Sequence, residues 1–129
     1  MTELNADQRR LLDPPNYGML ATIRPNGTAQ VNAMWFELID GTLRFTHTTK
    51  RGKYRNLQQN PNMTLAVLDP DDPFHYTEVV GRLTETIPDP EGEFYVRLGR
   101  RYGNAEQEAP ADKADRVILV MSIDKVHTH

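Results

Sequence analysis

The chain has no cysteine, so disulfide bonding and thiol chemistry are both excluded, and a reducing cytoplasm is the expected compartment. It has no apolar run long enough to span a bilayer and no hydrophobic N-terminal core of a signal peptide. Nor does it carry an excess of positive charge: 18 acidic residues face 15 basic ones, which argues against general nucleic-acid binding. Internal repeats and low-complexity linkers are missing. What remains is 129 residues, read as a single domain over 1–129 with one core.

The basic residues that are present concentrate in one stretch, Thr46 to Pro61, reading T-H-T-T-K-R-G-K-Y-R-N-L-Q-Q-N-P. The pattern is a strand end turning into a short helix. Thr48 or Thr49 is placed to be the N-cap, Lys50 opens the first turn, and Asn60-Pro61 stops the helix. Lys50, Arg51 and Lys53 then lie at the end where unpaired N–H groups already give a partial positive charge. Cations and hydroxyl donors gathered there suit an anion such as phosphate. A solvated basic face without a ligand is the plainer reading. Tyr54 and Leu57, three apart, form the packing side of this helix.

Around this stretch the chain reads as strands with peripheral helices. A first helix covers Thr2 to Leu12, ended by Asp13-Pro14-Pro15. A strand from Tyr17 to Arg24 meets Asn26-Gly27, a hairpin signal because both residues tolerate positive φ. The return strand, Ala29 to Ile39, slips in its alternation: Val31, Ala33 and Trp35 share one face and Phe36 and Leu38 the other, as at a bulge or barrel corner. Asp40-Gly41 turns into a third strand with Leu43, Phe45 and His47 alternating. Met63 to Leu68 is apolar enough to be buried on both faces, and Asp69 to Pro73 is a rigid acidic turn. A long strand runs from Phe74 to Ile87, with Gly81 at its middle as a bend or close-approach point. Asp89 caps a second helix, Pro90 opens it, and Phe94, Leu98 and Tyr102 form its core stripe before Gly103 ends it. After a polar loop, Arg116 to Val126 is the last strand. Six strands with short helices and tight turns indicate a mainly β fold, a six-stranded antiparallel barrel.

The combination Met19-Leu20-Ala21-Thr22, Pro25-Asn26-Gly27, Lys53-x-x-Asn56-Leu57-x-x-Asn60-Pro61 and Gly81 in a long strand resembles the pyridoxamine 5′-phosphate oxidase-like superfamily of split β-barrel flavin-binding proteins. Within it, the chain is most similar to the deazaflavin-dependent reductases that use coenzyme F420. The resemblance implies a homodimer with the cofactor in the groove between subunits. It places Asn32, Ala33, Met34 and Trp35 along the tricyclic ring, and Thr46, His47, Thr48, Lys50, Arg51 and Lys53 at the phosphate-bearing tail. Asn56 would orient the helix or reach the tail, and His75, Tyr76 and Glu78 would form a wall supplied by the other chain. The implied activity is hydride transfer from reduced F420 to a small conjugated organic substrate, for which no side chain is singled out as the proton donor. An FMN-binding oxidoreductase and a cofactor-binding module without catalysis are the alternatives. The several cations Lys50, Arg51, Lys53 and Arg55 favour the longer F420 tail over the compact FMN phosphate.

Other residues have duller readings. Trp35 fits simple packing as well as cofactor contact, and His47 and His75 could be ordinary barrel histidines. His127 and His129 lack a third ligand, so no metal site is expected.

Overall fold

The computed structural model describes residues 3–129. Among them, α1 spans Ala6–Leu12, β1 Gly18–Ile23, β2 Ala29–Met34, β3 Glu37–Ile39, β4 Thr42–Thr48 and α2 Gly52–Gln59. The chain continues as β5 Asn62–Asp69, β6 Asp72–Pro88, α3 Glu93–Arg101, a single 3₁₀ turn Lys113–Asp115, β7 Arg116–Met121 and β8 Lys125–Thr128. The strands pair in the order β2-β1-β5-β6-β7-β4-β3, with β8 added beside β6. All the pairings are antiparallel.

The mainly β architecture agrees with the sequence, while the number of strands among the described residues rises from six to eight because two expected strands are each broken. The slip in Ala29–Ile39 is a barrel corner: β2 pairs with β1 in one sheet, and β3 pairs with β4 in the other. Phe36 turns fully into the core there. The Tyr102 hydroxyl accepts the Phe36 N–H at 3.0 Å and donates to the Asn16 carbonyl at 2.7 Å, which fixes the corner from α3. The last strand breaks at Ser122–Asp124, where β7 leaves one sheet and β8 joins the other.

The 17-residue β6 belongs to both sheets, pairing with β5 and β8 in its first part and with β7 in its last. At Gly81 it passes close to the Ser122 backbone, where a Cβ would lie 1.8 Å from the carbonyl oxygen, so only glycine permits the approach. Leu20, Phe45, Leu65 and Leu119 fill the space between the sheets with no exposed surface. Contrary to the expectation of two-sided burial, β5 alternates: Met63, Leu65 and Val67 face the core and Leu68 is 44% exposed. The other face of β5, Thr64, Ala66 and Leu68, is half-buried to exposed in the single chain.

Local chemistry accounts for the remaining differences. α1 starts at Ala6 because Asn5 and Gln8 form a reciprocal capping box; Thr2, expected in this helix, lies outside the described residues. The Asn26-Gly27 turn has positive φ only at Gly27, whereas Asp40 and Gly41 both have it, so the second turn is the tight mirror-image type. The acidic turn is shorter than expected: β6 already starts at Asp72, and the buried Asp69 carboxylate accepts from the Asp71 N–H and the Arg10 guanidinium at 2.9 Å each. α3 starts at Glu93 after a left-handed Gly92, not at Pro90. Asp89 still caps it from further upstream, its two oxygens accepting the Glu93 and Phe94 N–H groups at 3.0 Å.

α2 departs most from expectation. Its N-cap is Arg51, with no side-chain capping bond, and the helix starts at Gly52. Thr48 is the last residue of β4, paired with Arg116, and a turn closed by the Arg51 N–H to the Thr48 carbonyl intervenes before the helix. Neither Thr48 nor Thr49 is the cap, and Lys50 lies in the turn, outside the first helical turn. Of the three expected cations only Lys53 is in that turn. Leu57 is buried and Tyr54 packs against the core, as the spacing required.

Candidate functional site

β4 brings Leu43, Phe45 and His47 to one face, and the first two are wholly buried in the core. His47 continues that row to the barrel end, where the turn into α2 passes over it. Next to it, β2 runs out at Asn32–Met34 and the corner residue Trp35 follows. Between these segments is a cleft of about 340 Å3, lined by Asn32 to Trp35, Thr46, His47 and Arg51 together with Tyr17, Tyr95 and Arg116. A second cavity of about 350 Å3 adjoins it, lined by Gln30, Asn32, His47, Arg51, Gly52 and Lys53. Asn32, His47 and Arg51 are common to both, so the two form one groove with distinct ends.

The first end is aromatic. Trp35 packs against Tyr95 at 5.7 Å between ring centroids and stacks on Tyr102 at 5.8 Å, while Tyr17 lies 5.2 Å from Tyr102. Arg116 lies over the Tyr95 ring at 4.8 Å and is held by Asp112 through bonds of 3.0 and 3.3 Å. Such a guanidinium is fixed in place by stacking and a bidentate partner. The second end is cationic: Arg51 at the N-cap of α2 and Lys53 in its first turn. No carboxylate lines either cavity.

Three features show a site that the protein's own groups do not satisfy. The Thr46 hydroxyl and His47 Nε2 are buried and have no hydrogen-bond partner, an unusual condition for interior polar atoms. Burial, and after it the charges of Lys53, Arg116 and Arg51, pushes the His47 imidazole down to about 4. Lys53 is 2% exposed, its ammonium donating only to the Leu20 carbonyl at 3.4 Å. Burial, with Arg24 as the lesser cause, lowers its pKa to about 8. Unpaired buried donors and mutually repelling cations are complementary to a phosphoryl or carboxylate group.

Of the residues singled out in the sequence, Asn32, Ala33, Met34, Trp35, Thr46, His47, Arg51 and Lys53 line the groove. Thr48 lies beneath it, 2% exposed, its hydroxyl accepting from the Lys50 N–H. Lys50 itself is exposed and lines neither cavity. Asn56 orients the helix: its amide donates to Thr22 Oγ1 at 3.2 Å and to Gln30 Oε1 at 2.8 Å, tying α2 to β1 and β2. His75, Tyr76 and Glu78 lie elsewhere, on the part of β6 near α1 and β8. His75 contacts Asp7, Tyr76 stacks on His129 at 4.8 Å, and Glu78 is opposite His127.

Tyr17, Gln30, Tyr95 and Arg116 were missed. Arg116 reaches the groove because β7 pairs with β4 across 68 positions of sequence, Thr48 against Arg116, which no local pattern encodes. Tyr95 is next to Phe94 of the core stripe and faces away from it. The one local hint was the i, i+4 pair Asp112–Arg116, which marks an arginine with a fixed orientation. Among the described residues no group of three or more histidines, cysteines or carboxylates is placed to hold a metal. No helix among them is long and apolar enough to cross a membrane.

Known proteins share this architecture. A solved structure described as an F420 reductase superposes with a TM-score of 0.91 at 51% identity, covering 96% of this chain and 98% of that one. A conserved hypothetical protein from Mycobacterium tuberculosis gives a TM-score of 0.76 at 21% identity, over 99% of this chain and 85% of the other. General Stress Protein 26 from Bacillus anthracis gives 0.70 at 20% identity, over 92% and 88%; these two share the fold. No curated protein matches the chain. The family model for pyridoxamine 5′-phosphate oxidase matches residues 4–129, nearly the whole length. With that match over nearly the whole chain and the shared fold, the chain belongs to the pyridoxamine 5′-phosphate oxidase family.

Proposed function

We propose that this protein is an F420-dependent reductase that passes hydride from a reduced deazaflavin to a small conjugated organic substrate. One observation carries the reading: a single groove joins an aromatic end to a cationic end from which lining carboxylates are absent. That is the complement of a ligand with a planar ring at one end and an anionic tail at the other. The likeness at 51% identity to a protein described as an F420 reductase supports the deazaflavin over other such ligands.

The residues divide the work accordingly. Asn32, Ala33, Met34 and Trp35 present backbone and side chains to one edge of the ring. Arg51 and Lys53 hold the tail, with His47 Nε2 at the junction as an unpaired polar atom that meets it, while Arg116 and Thr46 Oγ1 line the aromatic end. Tyr17 and Tyr95 narrow the aromatic end and keep water from it. Bound there, the cofactor would supply the hydride and the electronic chemistry. The protein contributes orientation, which can account for much of the rate.

We also propose that the working unit is a homodimer. Met19, Val31 and Leu68 are 37%, 53% and 44% exposed and lie on one outward sheet face, linked by the β1–β2 and β1–β5 registers. A second copy covering this face would bring His75, Tyr76 and Glu78 of one chain towards the groove of the other.

Fluorescence titration with F420 and with FMN tests the cofactor. Tight F420 binding without FMN affinity is expected, and hydride transfer to a member of a quinone, nitroaromatic and tetrapyrrole panel should follow. Arg51→Ala should weaken binding by about 1.5–3 kcal/mol, the worth of a hydrogen bond to a charged group. FMN binding alone would replace the cofactor assignment, and F420 binding with no turnover across the panel would remove the reductase.

A further inference from the structure

His47 occupies the junction of the two cavities and is 7% exposed, its Nε2 buried with no hydrogen-bond partner. Every charged side chain facing it from the surrounding elements is cationic. Arg51 and Lys53 approach from the turn and first turn of α2, and Arg116 from the start of β7. Arg24, at the end of β1, acts on Lys53. The nearby carboxylate of Asp112 is engaged by Arg116, and Tyr17 and Tyr95 contribute uncharged phenols. The imidazole is therefore neutral without a ligand, in keeping with its pKa of about 4.

We propose that His47 takes up one proton from solvent when a phosphoryl-bearing anion enters the groove, so that ligand and proton bind together. An anion there reverses the sign of the local field: the same cations that repel the imidazolium become screened partners, and the ligand's negative charge favours the protonated ring. Protonation makes both ring nitrogens donors, so the atom without a partner faces the anion as an N–H. The step is a proton transfer alone: the imidazole N–H forms as the buffer acid's bond to that proton breaks, leaving the buffer's conjugate base. This rests on the cofactor reading above and adds a pH dependence to it.

The linkage has a definite sign. A group whose pKa is higher in the complex than in the free protein makes binding tightest at low pH. Affinity then falls by up to tenfold per pH unit, from the free titration point to the bound one. Calorimetric titration of the full chain with F420 at about pH 5, one unit above the free titration point of His47, in buffers of contrasting ionisation enthalpy, counts the protons absorbed. Nitrogen-15 histidine NMR on the same samples reads the His47 ring, with His47→Gln assigning the resonance. Uptake approaching one proton and an imidazolium in the complex are expected. The pH dependence of Kd should flatten in His47→Gln relative to wild type, which subtracts the ligand's own ionisation.

F420 binding with no proton uptake and a neutral ring overturns the inference and leaves the cofactor assignment standing. If neither F420 nor FMN binds, the cofactor assignment fails, and inorganic pyrophosphate becomes the probe. A His47 titration moved up by more than about one pH unit by pyrophosphate then upholds the proton coupling. An unmoved one removes it.

Discussion

Two histidines mark two regions built on opposite electrostatic terms. His75, near one end of β6, has Asp7 at 3.1 Å from its Nε2 and the His129 carbonyl beside Nδ1. Around it, Arg10 bridges Asp7 and Asp69, Gln8 donates to Thr128, and Tyr76 and His129 exchange backbone hydrogen bonds. Charges there meet countercharges, and the last strand is fastened to α1 and β6. His47 has three cations for neighbours and a buried nitrogen without a partner. The first region holds the fold together. The second costs the fold stability and presents donors that no group facing them uses, which is the basis for proposing the cofactor site there.

Lys53→Met should sharpen this contrast most. It replaces a buried, nearly unpaired ammonium with an apolar chain of similar length. With its pKa lowered from 10.5 to about 8, Lys53 destabilises the fold at neutral pH by about 3 kcal/mol, a penalty relieved as pH rises between those values. A higher Tm together with weaker cofactor binding is the expected pair of results. A lower Tm would show that Lys53 is structural and would dissolve the comparison.

Acid sensitivity of the free protein comes next. His47 is protonated in the unfolded chain up to its ordinary 6.5, and in the fold only below about 4. Its contribution therefore makes stability rise with pH across that window, by about 2–3 kcal/mol. The measurement is the difference between wild type and His47→Gln in denaturant melts from acid to neutral pH. Superimposable profiles would mean the imidazole is not held neutral.

The smallest effect belongs to the paired region. Asp7 is 45% exposed beside His75, so Asp7→Asn should cost under about 1 kcal/mol, less at high salt, and leave cofactor affinity untouched. A large loss of affinity would bring His75 into the site, as expected if a second copy carries it to the groove.

Much of the fold could be read locally. Asp40-Gly41 is the tight turn its residues demand, Gly81 is a point of close approach to Ser122, and Gly103 ends α3 with φ of 96°. The slip at Trp35–Phe36 announced a corner, though not that the chain changes sheets there. Strand Asn62–Asp69 was misjudged because an apolar run does not reveal that one face is left half-buried to exposed. Lys50 was expected at the anion site because the helix was begun two residues early. Where a strand ends and a helix begins depends on the pairing of Thr48 with Arg116, a contact remote in sequence.

The sequence by itself determined the elements, their turns, the family pattern and the concentration of cations after β4, since these depend on period-two and helical spacing and on residues with special backbone preferences. Only the tertiary structure decided which cations face inward. It buried Lys53 beneath the groove, left Lys50 outside, and added Arg116, Tyr95 and Tyr17 from distant segments. Charge is a property of each residue, but its effect depends on burial and on neighbours, and both are set by how the two sheets close around β6.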